Sequence, residues 1–203
     1  MPTGLRRFQE SGQTHFVTFS CLKRRPYFAS AALYDLFVQG LEDMRCRFDM
    51  CVYGFVAMPE HVHLLLSEPT GVKLAEAMHY LKLSFSKRVP GLLSRAQVSA
   101  QKTGANPSAR SGPALGHGGS FWEKRYYDRN VRDYREFTLT LQYLHRNPVA
   151  RGLVVAPEEW KWSSYRHYAL REVGVVELES EWTAGDRERK ACSGAARLFL
   201  RLG

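Results

Sequence analysis

The chain has 203 residues, 44% hydrophobic and 24% charged, which is enough for one domain with a sizeable core and ordinary for a soluble globular protein. No apolar run approaches the ~20 residues of a membrane helix, and polar Met1 to Glu10, with Arg6 and Arg7, lacks the apolar centre of a signal peptide; the expectation is a cytoplasmic protein. The net charge of +9 favours a polyanionic partner, and four scattered cysteines fit neither a disulfide scaffold nor a common zinc-finger spacing.

The predicted elements follow in chain order. His15 to Leu22 alternates and is rich in β-branched and aromatic residues, so it reads as a strand. Ser30 is placed to cap a helix that runs to about Phe48, with Leu33, Leu36, Phe37 and Leu41 on one stripe. Met50 to Met58 and His61 to Ser67 read as two strands joined through Pro59-Glu60 as an antiparallel hairpin. Leu74 to Val89 is helical by spacing, and Pro90 is expected to end it. The stretch of about 90–120 then reads as a flexible basic loop. Phe121 to Arg129 reads as a fourth strand. Asp133 should cap a helix that continues to about His145 or a turn further, weakened at the Asn147-Pro148 step. Trp160 to Tyr165 opens a C-terminal segment, and Ser193 to Leu200 reads as a short helix.

This order predicts an α+β, ferredoxin-like (RRM-like) fold: an antiparallel sheet with helices on one face and a C-terminal helical appendage. Residues 1–170 would form the domain, and 171–203 an extension.

Two distant stretches look like halves of one site. In Met58-Pro59-Glu60-His61-Val62-His63, the two histidines sit two apart on a strand and project from the same face. Burying two imidazoles beside Leu64, Leu65 and Leu66 costs free energy unless they find partners, and a divalent metal is a suitable one. In Tyr143-Leu144-His145-Arg146-Asn147-Pro148, Tyr143 and Asn147 sit four apart on one helix face, while His145 should point elsewhere.

Four ordered strings make the chain similar to a known family. They are Met58 to His63; Phe121-Trp122-Glu123-Lys124-Arg125-Tyr126-Tyr127-Asp128; Tyr143 to Val154 with its Asn147-Pro148 and Gly152-Leu153-Val154; and Trp160-Lys161-Trp162-Ser163-Ser164-Tyr165. Across roughly residues 10 to 170 the chain resembles the single-tyrosine, IS200-like HUH transposases, and within them those associated with repetitive extragenic palindromes. The resemblance implies a divalent metal, Mg²⁺ or Mn²⁺, held by His61, His63 and Asn147. It also implies Tyr143 as the nucleophile that forms a 5′-phosphotyrosine on single-stranded or hairpin DNA. Tyr126, Tyr127 and Tyr134 are nearby phenols that could compete.

Arg6, Arg7, Lys23, Arg24 and Arg25 around the first strand, and Lys124, Arg125 and Arg129 around the fourth, are candidate DNA contacts. No pair of His-x-Ser/Thr motifs supports a two-histidine phosphoesterase. A non-catalytic or domesticated nucleic-acid binder on the same fold is the alternative to an enzyme. Monomer and homodimer both remain open.

Overall fold

In the computed structural model, residues 12–102 and 120–187 are described. Four strands form one antiparallel sheet in the order β2-β3-β1-β4: β1 Thr14–Ser20, β2 Val52–Ala57, β3 His61–Leu66 and β4 Tyr127–Val131. Helices α1 Ala31–Arg47 and α2 Leu74–Lys102 connect β1 to β2 and β3 to β4, and α3 Tyr134–Ala150 follows β4. This is the expected ferredoxin-like order.

The alternation of β1 assigns the faces. Phe19 packs on Phe37 of α1 and on Trp122, with ring centroids 6.2 and 4.9 Å apart. Phe16, on the opposite face, meets Tyr143 of α3 at 6.1 Å. So α1 and α2 share one face while α3 lies across the other, rather than all helices on one face as expected. Sequence periodicity says which residues of a helix are buried but not which side of a two-sided sheet receives them.

Three local expectations change. First, Pro90 does not end α2, which continues to Lys102. Proline inside a helix costs ~3 kcal/mol or more. Here Pro90 is exposed, so the carbonyl it leaves unpaired can reach water, while Val89 before it and Leu92 and Leu93 after it pack on the core. The expected loop is therefore helical up to residue 102, and its remainder, 103–119, lies outside the described residues, as do Arg6, Arg7 and the expected helix Ser193 to Leu200. Second, the fourth strand is Tyr127–Val131 rather than Phe121 to Arg129. Residues 121–123 meet the end of β1 only through an isolated bridge, Trp122 opposite Cys21, before the ladder begins at Tyr127, and adjacent Phe121 and Trp122 are both buried, 1% and 3% exposed. They instead join an aromatic core with Phe28, Phe37 and Phe85. Third, Ser30 occupies the α1 N-cap without a side-chain cap bond.

Helix α3 is fixed at both ends. Asp133 accepts from the Glu136 amide at 2.7 Å. At the other end, Gly152 is left-handed (φ 65°), its amide bonds to the Val149 carbonyl, and the Leu153 amide bonds to the Pro148 carbonyl. Pro148 is thus carried inside the helix. Beyond it, the 160–164 segment runs along the outer edge of β2: the Ala57 amide bonds to the Trp162 carbonyl, the Ser164 amide to the Phe55 carbonyl, and Trp160 Nε1 to the Ala57 carbonyl. This covers an otherwise open sheet edge. After α4, Tyr165–Leu170, buried Val176 and Leu178 join the same core, and Leu178 bridges Val52.

Close seating of α3 depends on Gly54 of β2. A Cβ there would stand 2.6 Å from Leu141 Cδ1 and 3.3 Å from Leu144 Cδ1. Gly54→Ala is expected to destabilise the fold by about 1–3 kcal/mol through overpacking, read as a lower urea midpoint at unchanged slope.

Candidate active site

Strand β3 carries His61 opposite Ser20 and His63 opposite Thr18, both on the face beneath α3. Both imidazoles are buried, 4% and 5% exposed, and their Nε2 atoms face each other at 3.0 Å. Each ring has a partner on its other nitrogen. His63 Nδ1 meets Thr18 Oγ1 at 2.7 Å, and the Glu60 carboxylate stands 3.2 Å from His61 Nδ1, within ion-pair range but off the line of a well-formed hydrogen bond.

These partners bear on where the protons sit. A carboxylate beside His61 Nδ1 favours the proton there and leaves Nε2 as a lone pair. Thr18 can donate or accept. Either His63 Nε2–H donates to His61 Nε2, or His63 takes its proton on Nδ1 and two lone pairs converge. The second arrangement is stable only around a cation. Two ligands ~2.1 Å from one ion at right angles stand about 3 Å apart, which matches the observed separation, so the pair fits a divalent metal. Among the described residues no cluster of three or more His, Cys, Asp and Glu side chains suits a metal. Among these residues a third protein donor would be of another type, and the amide oxygen of Asn147 is the candidate on the overlying helix.

Burial, more than any charge, pushes the His61 and His63 imidazoles below the ordinary value. The neighbouring ring and the Arg24 guanidinium push His63 further, to about 3. Glu60 pulls His61 the other way without reversing it. Both rings are neutral at physiological pH, which is the protonation state that ligates metal.

Tyr143 lies over this pair. Its ring is edge-on to His63 at 5.3 Å, and His63 is stacked on Phe16 at 5.5 Å. Tyr143 is 52% exposed while Asn147, one turn on, is buried. One side of the tyrosine is braced and the other is open to solvent. Tyr134 hydrogen bonds to Glu181, Tyr127 is on β4, and Tyr126 lines a cleft beside Met78 and Lys82 on the α2 side. His145 is buried against Ser164 at 2.9 Å, its pKa pushed down to about 4 by burial and then by His167.

Of the basic candidates, Arg24 is exposed, and its charge reaches both histidines. Lys23 and Arg24 have φ values of 55° and 51°, in the left-handed region that costs ordinary residues ~1 kcal/mol or more. The Lys23 amide on Glu123 Oε1 and the Arg24 amide on the Cys21 carbonyl hold this turn. Arg25, Lys124 and Arg125 are exposed, whereas Arg129 is engaged by Glu136 and Thr140. Sequence reasoning missed Thr18, Phe16 and Arg151 as site neighbours and took Glu60 for a turn residue. The signal for Glu60 was its place immediately before His61.

The histidines generate a pH prediction for metal-free protein. A ring whose folded value lies below its unfolded value of about 6.5 binds more protons when unfolded, so its contribution is present above that pH and lost as pH falls. His61, His63, His145 and His167 are all of this kind. His15 opposes them: burial lowers it, but Asp128 and Glu68 on its two nitrogens raise it overall, so its contribution is complete below about pH 6.5 and fades as pH rises through its folded value. Denaturant midpoints are expected to fall between about pH 6.5 and 5, above the carboxylate range, and His63→Gln or His145→Gln should flatten that slope.

The chain is similar to known proteins over most of its length. The family model described as "Transposase IS200 like" matches residues 9–147. A protein of Haemophilus influenzae provisionally named a REP-associated tyrosine transposase is 26% identical over 117 residues, 57% of this chain and 59% of that protein, so the match spans less than two thirds of that relative. The REP-associated tyrosine transposase of Escherichia coli K12 is 20% identical over 185 residues, 90% of this chain and 96% of that one. A solved structure of a REP-associated tyrosine transposase bound to a REP hairpin superposes with a TM-score of 0.59 at 17% identity, covering 88% of this chain and 93% of that one, which establishes the shared fold. With the family model spanning more than half its length, the chain belongs to the IS200-like transposase family.

Proposed function

We propose that this protein is a cytoplasmic transposase that cuts and rejoins single-stranded DNA through Tyr143, at hairpins of the palindromic class for which its relatives are named. The observation that carries the reading is the half-exposed Tyr143 ring braced on His63, whose Nε2 faces that of His61 at 3.0 Å. His61 and His63, with Asn147 as the third ligand, would hold Mg²⁺ or Mn²⁺. Such an ion supplies Lewis-acid neutralisation and orientation of the scissile phosphate.

The phenol of Tyr143 loses its proton and its oxygen attacks phosphorus. The P–O3′ bond breaks, the departing 3′ oxygen takes up a proton, and a 5′-phosphotyrosine remains on the protein. The new ester retains the energy of the broken one, so a second 3′-hydroxyl can reverse the step and join strands without ATP. Phe16 and His63 limit the tilt of the Tyr143 ring, which favours in-line approach. Exposed Arg24, Arg25, Lys124 and Arg125 are suited to the flanking phosphates.

Two outcomes are expected. Tyr143→Phe keeps the ring and its packing, so DNA binding should persist while the covalent adduct on cleavable single-stranded DNA disappears from denaturing gels. An adduct mapped instead to Tyr126, Tyr127 or Tyr134 would move the nucleophile, and none from the wild type with hairpin DNA and Mn²⁺ would favour a non-catalytic binder. Calorimetry with Mn²⁺ should show binding in the wild type and none in the His61→Ala, His63→Ala double variant, while DNA affinity falls steeply with added salt.

A further inference from the structure

The Glu60 carboxylate is shared by two elements that the chain brings together across 91 residues. Its Oε1 accepts from Arg151 Nη2 at 2.7 Å and stands 3.2 Å from His61 Nδ1. Arg151 is the C-cap of α3, and its amide bonds to the Asn147 carbonyl. One oxygen therefore links the end of the helix that carries Tyr143 and Asn147 to the first of the paired histidines. We propose that Glu60 and Arg151 are a positioning pair: Glu60 sets the tautomer and tilt of the His61 imidazole, and Arg151 locks Glu60 to the C-terminus of α3, so that the histidine strand and the tyrosine helix are aligned as one unit. This rests on the reading of His61 and His63 as metal ligands.

The surroundings separate this pair from an ordinary surface ion pair, whose contribution is about 0–1 kcal/mol. Glu60 is 8% exposed, so its carboxylate needs partners. Its main chain has little freedom: the Cys21 amide bonds to the Glu60 carbonyl at 2.9 Å, the Phe28 amide to the Pro59 carbonyl at 3.1 Å, and the Met58 amide to the His61 carbonyl at 2.8 Å. The remaining freedom is in the side chain, and the hydrogen bond from half-exposed Arg151 limits it. A cation at this place also suits the negative end of the α3 dipole, which anchors the guanidinium from its own side. His63 has its counterpart in Thr18, a hydroxyl that tolerates either tautomer. Of the two rings, His61 is thus the one whose orientation is dictated by charge. Carboxylates behind ligating imidazoles commonly affect metal affinity 10- to 100-fold, on the order expected here.

The test compares Glu60→Ala, Glu60→Gln, Arg151→Met and Arg151→Lys with the wild type by three readouts. Ring ¹⁵N shifts of metal-free protein report the His61 tautomer. Calorimetry with Mn²⁺ reports the site, and thermal melting reports the fold. The expected result is a wild-type His61 protonated on Nδ1, a mixed tautomer in Glu60→Ala, and Mn²⁺ affinity reduced about 10- to 100-fold in Glu60→Ala and Arg151→Met. Glu60→Gln and Arg151→Lys should recover part of both. Unchanged tautomer and Mn²⁺ affinity with only a lower melting temperature would overturn the proposal and leave a structural ion pair. No Mn²⁺ binding by the wild type would overturn the metal reading instead, and the ring-nitrogen spectra would still decide whether Glu60 and Arg151 hold His61.

Discussion

Two imidazole nitrogens facing each other at 3.0 Å inside a sheet face are a constraint to which much of the surrounding structure answers. The rings are held in this geometry by partners at their outer nitrogens and by the helix packed above them. Thr18 comes from the neighbouring strand β1 and Glu60 from the turn that begins β3. The lid is α3, which reaches the sheet because Gly54 leaves room for Leu141 and Leu144. Phe16 then fills the space between the sheet and Tyr143. The precision of the site is thus a packing property of the β1–β3 pair and α3.

The opposite face supplies the rigidity. Phe28, Phe37, Phe85, Phe121 and Trp122 interlock there, with centroid separations from 4.7 to 6.2 Å. At the far end of β1, fully buried His15 is held between Asp128 of β4 and Glu68 just past β3, at 2.8 and 3.0 Å. A buried charge cluster of this kind is weak evidence for net stability, because desolvation offsets attraction. Its effect is on register. Shifting β4 by one residue would turn Asp128 away and leave Nδ1 of a buried imidazole without its partner, so the pairing of β1 with β4 is specified.

What was legible in the sequence was whatever a single element's period expresses. His61 and His63 share a face because strands repeat every two residues, and Tyr143 and Asn147 because helices nearly repeat every four. The strand order of the split βαβ unit followed from element order. The side of the sheet taken by α3 was not legible, because both faces of β3 are apolar enough to be covered. Pro90 does not end α2 because Leu92 and Leu93 pack on the core beyond it, a tertiary contact that local helix propensity does not express. Phe121 and Trp122 read as strand residues by propensity, yet they serve as two neighbouring core residues. Glu60 with Arg151 and Thr18 with His63 are pairs 91 and 45 residues apart, and no local pattern encodes such contacts.

The charge around the site differs from that of a carboxylate-rich metal centre. The candidate ligands are neutral, Glu60 is partly offset by Arg151, and Arg24 adds a positive field. Burial first, and the Arg24 charge after it, disfavour protonation of the rings, which keeps their lone pairs available near neutral pH. The neutral candidate ligands also leave the charge of a divalent ion largely uncompensated by protein. Compensation would have to come from an anion, and the side of Tyr143 left open to solvent is where a phosphodiester could supply it. In the proposed arrangement ion and DNA therefore strengthen each other's binding, a reciprocity that thermodynamic linkage requires of any such coupled pair. Such coupling would make the ion bind more tightly once the strand to be cut arrives, which would tie assembly of the reactive geometry to the presence of substrate.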